Sequence, residues 1–328
     1  MDTRTFARLG RSVGVIGLGA WQLGADWGSV SEDDALATLT AAVDAGSTFL
    51  DTADVYGDGR SEQLIGRFLR DRAGGADLLV ATKMGRRVAQ HPSAYVLDNF
   101  RSWTDRSRAN LGVDRLDLVQ LHCPPTEVLH SDAVFDALDT LVEQERVAAY
   151  GVSVETVDEA LAAVARPGVA SIQIILNALR LKPLEKVLPA AAAAGVGVIA
   201  RVPLASGLLS GRYDEHTTFA ADDHRTFNRQ GAAFDVGETF SGVDFDTGLA
   251  AVRRLAPLVP PRATMAQFAL RWILDQPGVT VAIPGARNPQ QAVANATAAD
   301  LPSLDESARQ AVTVVYDELI RPQVHHRW

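Results

Sequence analysis

The residues best placed for chemistry sit in the stretch 49–61, Phe-Leu-Asp-Thr-Ala-Asp-Val-Tyr-Gly-Asp-Gly-Arg-Ser. Residues 47–50 read as the end of a short buried strand. The chain then turns polar and glycine-rich until a helical pattern begins near Ser61. The strand end therefore delivers Asp51, Asp54 and Tyr56 into a loop. A phenol five residues beyond a strand-end carboxylate suits acid/base work, although a capped turn explains the same residues when they stand alone. Two further strand ends change the weighing. The apolar run 78–82 leads into Lys83, and 116–121 leads into His122. In a parallel barrel these three ends meet around one mouth.

Acid/base chemistry at such a mouth needs a group that can give a proton to a developing oxyanion. Tyr56 is the candidate acid, but a phenol with a reference pKa of about 10 works poorly at neutral pH unless its anion is favoured. An ammonium at Lys83 would lower the Tyr56 pKa, and Asp51 would keep that ammonium charged and oriented. His122 would hydrogen-bond the substrate oxygen and share in proton relay. The single cysteine, Cys123, follows His122 directly and reads as a small pocket-lining residue rather than a nucleophile.

The elements that must position these residues alternate along the chain. A break at Gly10 within 6–13 predicts a hairpin covering the closed end of a barrel. The first barrel strand is 15–19, and the loop 20–30 carries Trp21 and Trp27. Gly17-Leu18-Gly19 is no dinucleotide fingerprint, because the third glycine would fall at Gln22 and no helix opens there. Ser31 caps a helix to about 45, with Glu32, Asp33 and Asp34 in its first turn. Strands follow at 47–50, 78–82, 116–121, 149–152, 171–175, 196–200 and 280–282. Helices fall at 62–70, 94–111, 133–145, 157–165, 184–194, 246–258 and 264–275. This rhythm predicts an α/β fold, a (β/α)8 TIM barrel with an N-terminal β-hairpin, as one domain over 1–328. One segment breaks it. Residues 205–245, after the seventh strand, form a loop far longer than a βα connection needs and read as a cofactor-covering lid. Residues 317–328 form a C-terminal tail.

The 328 residues carry a net charge of -9 and are 47% hydrophobic, enough for a sizeable core. The acidic balance, with no basic face, excludes a dedicated nucleic-acid binder. The charged N-terminus lacks the apolar run of a signal peptide, and 187–200 is too short to span a membrane. A lone cysteine agrees with a reducing, cytoplasmic setting. His325 and His326 in the tail have no carboxylate at ligand-like spacing, so no metal is expected and a solvated terminus is.

The sequence resembles the aldo-keto reductases over nearly its whole length. The resemblance rests on Asp-Thr-Ala-Asp-Val-Tyr-Gly at 51–57, Ala-Thr-Lys at 81–83, Gln-Leu-His at 120–122, Gly-Val-Ser at 151–153, Pro-Leu-Ala-Ser-Gly-Leu-Leu-Ser-Gly at 203–211 and Ile-Pro-Gly-Ala-Arg at 283–287. It implies Asp51, Tyr56, Lys83 and His122 as the catalytic set. It further implies Ser153 and Gln173 on a nicotinamide carboxamide. Pro203, Leu204, Ser206, Gly207, Leu208, Ser210 and Arg212 would form a pyrophosphate strap, with Gly285, Arg287, Gln291 and Asn295 at the adenosine end. Arg287 there makes NADPH the expected cofactor, with NADH the alternative. Trp21, Tyr56 and His122 would touch a small-molecule carbonyl substrate, joined by the tail with His325, His326 and Trp328.

Three positions depart from the family's pattern. Val154 stands where an asparagine is usual, with Asn177 a substitute. Arg201 stands where many relatives place an aromatic that stacks on nicotinamide; it is expected to stack, or to pair with Asp51 or the substrate. Ala294 replaces a frequent glutamate. The expected protein is a cytoplasmic NADPH-dependent reductase, a monomer or small homo-oligomer without nucleic-acid or membrane partners. The alternatives are a redox-sensing subunit with little turnover, as in the potassium-channel-associated relatives, and a metal-dependent hydrolase or lyase using Asp51 and His122.

Overall fold

The computed structural model describes residues 1–24, 30–72 and 77–328, so Trp27 lies outside the described residues. The chain opens with an antiparallel hairpin, β1 (Thr3–Phe6) against β2 (Arg11–Gly14). Its apolar members seal one end of the molecule. Phe6 stacks on Phe49 with ring centroids 5.6 Å apart, and both belong with Val13, Leu79, Leu118, Ile199 and Val281 to a cluster of their own. Gly197 makes this approach possible, since a Cβ there would lie 2.1 Å from the Phe6 ring.

Eight parallel strands follow in chain order: β3 (Leu18–Gly19), β4 (Phe49–Asp51), β5 (Leu79–Met84), β6 (Leu118–His122), β7 (Tyr150–Ser153), β8 (Val169–Ile175), β9 (Gly197–Arg201) and β10 (Val281–Ala282). Ile16 bridges to Ala282 and Gly19 to Gly285, which joins the two edges and closes the barrel. Helices lie between successive strands on the outside, so the strands are buried on both faces. That is why β8 reads Val-Ala-Ser-Ile-Gln-Ile-Ile, mostly apolar with every residue of it buried, including Ser171 and Gln173 on one face. Caps set the helix starts where the sequence places them. Ser31 Oγ accepts from Asp34 N at 3.1 Å, and Thr156 and Thr264 form capping boxes with Glu159 and Gln267.

Several boundaries differ from expectation. The ladder runs on through the polar strand ends, pairing Asp51 with Ala81, Lys83 with Gln120 and His122 with Ser153. Lys83 and His122 therefore sit within their strands rather than beyond them. The first barrel strand is ladder-paired to its neighbour only at Leu18–Gly19, because 15–17 serves the closing edge instead.

The long segment 205–245 is not plain loop. It contains short helical turns at Ala205–Ser210, His224–Phe227, Val236–Glu238 and Phe240–Gly242. Ser206 Oγ donates to Glu238 O at 3.0 Å and accepts from Phe240 N at 3.1 Å, tying the start of the segment to its end. The tail corrects the expectation of a solvated terminus. Trp328 is buried, donates from Nε1 to Asp235 Oδ1 at 3.1 Å and lies under the Arg180 guanidinium at 3.6 Å. His325 pairs with Tyr316 at 2.9 Å and with Glu185 at 3.2 Å; His326 alone of this trio is exposed.

Candidate active site

The ends of β4, β5 and β6 bring four side chains together. Lys83 Nζ donates to Asp51 Oδ1 at 2.5 Å, to Thr52 O at 2.9 Å and to Tyr56 Oη at 3.4 Å. The other Asp51 oxygen accepts from Gln173 Nε2 at 2.7 Å and from Gln120 Nε2 at 3.4 Å. Gln173 thus orients Asp51 from β8, and Gln120 was not singled out by sequence although it lies two residues before His122. With both oxygens engaged, Asp51 is a poor metal ligand, which removes one leg of the hydrolase alternative. The Tyr56 ring meets His122 edge-on at 5.9 Å and stacks against Trp21 at 5.9 Å.

Burial decides the protonation states here. It pushes the Tyr56 phenol above its ordinary value of 10.0, and Lys83 opposes this without cancelling it. Lys83 lowers the phenol's pKa as expected, but burial outweighs it, and the phenol is protonated at neutral pH. Burial also opposes the Lys83 charge, but Asp51 and Tyr56 overcome it and keep the ammonium. His122 goes the other way. Burial, then Arg86, Lys83 and Arg201, push it well below the usual histidine range, so it is a neutral imidazole with one donor and one acceptor nitrogen. Cys123 is pushed up to about 12 by burial and Glu155, which leaves a thiol and no nucleophile.

Tyr56 is held by a close approach of two loops. A Cβ on Gly24 would lie 2.7 Å from the Tyr56 carbonyl carbon, so only glycine fits there. Gly57 and Asp58 continue with φ of 58° and 55°, turning the chain into the helix Arg60–Asp71. Asp54, two residues before Tyr56, is buried, and neither carboxylate oxygen has a hydrogen-bond partner among the described residues. Burial, then Glu62, push it up to about 7.

A cavity of about 1000 Å³ opens from this group along the mouth. Asp51, Tyr56, His122, Trp21, Ser153, Gln173, Arg201, Pro203, Leu204, Ser206, Gly207, Ser210, Arg212, Gly285, Arg287, Gln291 and Asn295 line it, while Lys83 stands behind Asp51 and Tyr56. Leu208 is the exception. Its side chain packs against Gly248 in the core, so it does not line the wall expected of it. No tail residue lines the cavity, which corrects the placing of His325, His326 and Trp328 in a substrate pocket. Sequence reasoning missed Tyr213, Phe219 and Arg225 from the long segment and Asn288 before the helix Pro289–Ala296. Backbone strain gathers on this wall: Val202, Ala205 and Ser206 have φ of 50°, 47° and 53°.

Residues 15–317 match the model of the Aldo/keto reductase family. The chain belongs to this family. It is 30% identical to the aldo-keto reductase YhdN of Bacillus subtilis over 89% of this chain and 86% of that protein. It is 26% identical to a Schizosaccharomyces pombe aldo-keto reductase named for NADP(+), over 84% and 81%. Among solved structures it resembles a glycerol dehydrogenase of Gluconobacter oxydans, with a TM-score of 0.79 and 28% identity over 97% of this chain and 96% of the other.

Of the three positions where this aldo-keto reductase departs from the family's pattern, Ala294 lines the cavity, and Arg201 and Val154 have partners. Arg201 does not pair with Asp51. Its Nη2 donates to Glu155 Oε2 at 2.6 Å and to Val154 O at 3.2 Å, and its Nη1 lies 3.8 Å from Glu238 Oε1. Arg86 joins the group, donating to Glu238 Oε1 at 2.9 Å and to Glu155 Oε1 at 3.3 Å. This buried cluster of two arginines and two glutamates was not foreseen from sequence, where only Arg201 drew notice. Cys123, Glu155 and Glu238 are close enough together to suit a cation, but the carboxylates already hold guanidinium groups. Val154 is wholly buried and contributes backbone only. Asn177 does not replace it: its amide bonds Val202 O and Ser241 Oγ, both at 2.8 Å, making it a turn residue.

Proposed function

We propose that this aldo-keto reductase is a cytoplasmic, NADPH-dependent carbonyl reductase in which Tyr56 protonates the substrate oxygen. The observation that carries this reading is Lys83 Nζ, hydrogen-bonded at once to Asp51 and Tyr56 at the foot of the large cavity. The wall beyond suits a dinucleotide phosphate. Gly207 and Gly285 leave no room for a Cβ, Arg212 and Arg287 supply cations, and the helix Pro289–Ala296 begins there with its Asn288 cap. Arg287 is the reason to favour NADPH over NADH, and segment 205–245 would cover it.

NADPH, when bound, supplies the hydride that reaches the carbonyl carbon. Tyr56, protonated at neutral pH, gives its proton to the oxygen that becomes the alcohol. Lys83 stabilises the phenolate left behind, and Asp51, fixed by Gln173, holds the ammonium in place. His122, neutral, donates one N–H to the same oxygen and fixes its position. The reduction should therefore stay level through neutral pH. Oxidation of an alcohol, which needs the phenolate, should climb as pH rises towards the elevated Tyr56 pKa.

The test is Tyr56→Phe, assayed for NADPH-dependent reduction of a generic aldehyde and for NADPH binding by tryptophan fluorescence. The expected result is a loss of about a thousandfold or more in kcat with binding nearly intact. An active variant would refute the assignment. Wild-type protein that binds NADPH but turns over no carbonyl would favour the redox-sensing alternative.

A further inference from the structure

The tail does not line the cavity, but it is built into a segment that does, an inference that rests on the reading of this cavity as the NADPH site. Trp328 Nε1 donates to Asp235 Oδ1 at 3.1 Å, and the same oxygen accepts from Gly237 N at 2.7 Å. Asp235 thereby caps the turn Val236–Glu238. Two glycines bring the backbone here against its neighbours. A Cβ on Gly242 would run into the Trp328 indole, and one on Gly237 into Arg180 Nη2. Gln323 adds a further tie, accepting from Asp244 N at 2.9 Å and donating to Thr247 Oγ1 at 3.0 Å.

Arg180 explains why an indole stands at 328. Its guanidinium is buried, and Nε has no hydrogen-bond partner among the described residues. Nη2 donates to Ser241 O at 3.2 Å, and the guanidinium carbon lies 3.6 Å from the centre of the Trp328 ring. Burial pushes this arginine down to about 9 against the pull of Asp235, so it remains a cation at neutral pH. The ring face offsets a desolvation cost that one backbone carbonyl does not cover.

From this anchor the contacts run to the cavity wall. Glu238, at the end of the capped turn, accepts from Ser206 Oγ at its backbone carbonyl and from Arg86 at its carboxylate, at 3.0 and 2.9 Å. Glu238 and Ser206 both line the cavity, and Trp328 does not. Thr239 accepts from Asn228 Nδ2 at 3.2 Å, which carries the anchor back to the middle of the long segment.

We propose that Trp328 is a positioning residue for cofactor retention: its indole covers Arg180 and steadies the turn Val236–Glu238, and through that turn the strap at Ser206. NADPH release is timed by chasing the complex with excess NADP+ and following directly excited reduced-nicotinamide emission, which does not depend on which tryptophans remain. Trp328→Ala should raise the off-rate about tenfold, while the single-turnover rate of aldehyde reduction at saturating NADPH stays within about twofold of wild type. Trp328→Phe keeps a ring under Arg180 but gives up the indole N–H, and should raise the off-rate about threefold. In an Arg180→Met background no guanidinium needs covering, and Trp328→Ala should add no more than about threefold. Without cofactor, tryptic cleavage after Arg225 and Arg229 should run about tenfold faster in Trp328→Ala than in the wild type.

An unchanged off-rate in the Trp328 variants would overturn the proposal whatever their melting temperatures, and would leave the reductase reading in place. A single-turnover rate that falls as the off-rate rises would also overturn it, because the tail would then support the whole barrel. An undiminished effect of Trp328→Ala beside Arg180→Met would overturn the covering role of the indole. Failure of the wild type to bind NADPH would overturn the cofactor reading instead, and equal cleavage rates would then overturn the role of Trp328 by themselves. Trp328→Phe decides the matter if the alanine variant does not fold.

Discussion

The two halves of the mouth are built differently. At β4, β5 and β6 Asp51, Lys83 and His122 stand on adjacent strands in fixed register, and two of them are held by a neighbour's backbone or amide: Lys83 by Thr52 O, Asp51 by Gln173 and Gln120. On the other half, Arg201 at the end of β9 and Glu155 beyond β7 meet Arg86 beyond β5 and Glu238 from the long segment. The first half is a ladder of strand ends, and the second is a junction of loops. The difference separates tasks. On the proposed reading, chemistry that needs sub-ångström placement would sit on strands, and recognition that varies with the substrate would sit where loops can change.

Lys83→Met should strike the strand-built half hardest, lowering kcat by about a thousandfold with little change in NADPH affinity, read from steady-state kinetics beside fluorescence titration. A comparable loss of cofactor binding would mean that the two halves are not separable.

Asp54→Asn probes the same half through stability. The folded Asp54 carboxyl lies at about 7 against an ordinary value of 3.8, so the folded state keeps a proton that the unfolded chain has lost. Its contribution to stability is therefore lost as pH rises from about 4 to 7 and levels off above. The ceiling on this penalty is about 4 kcal/mol. The variant should melt higher than the wild type at pH 8, and the gap should close towards pH 4.5. Parallel melting curves would show that Asp54 is not a buried acid.

Arg287→Ala bears on the loop-built half, weakening NADPH by about ten- to a hundredfold and NADH far less. An equal loss for both would move Arg287 away from the adenosine 2′-phosphate. The smallest effect is expected from Ser206→Ala, which removes the hydroxyl joining Glu238 O to Phe240 N. It should cost about 1 kcal/mol of stability and raise the NADPH off-rate. An unchanged off-rate would detach the long segment from cofactor retention.

Most of the strand-built half was legible in sequence, because its signals are local. Apolar runs ending on Asp51, Lys83 and His122 name both the strands and the residues that the strands present. The start of the helix after Ser31 was legible for the same reason, since the Ser31 hydroxyl bonds an amide three residues away. The loop-built half was not. Nothing near Glu238 in sequence announces Arg86, which lies 152 residues away. Leu208 was misread because a strap motif does not say which of its side chains turn inwards.

By itself the sequence determined the order of strands and helices, the ionisable residues at the strand ends and the kinship those residues carry, since periodicity, caps and motifs act over a few residues. Only the tertiary structure decided that the barrel closes through Ile16 and Ala282, that Trp328 docks on Arg180 instead of waving in solvent, and that Arg201 answers to Glu155. It also decided the signs of the pKa shifts at Tyr56 and Asp54. Burial and charge pairing sum over elements far apart in the chain, and that sum exists only once the elements have packed.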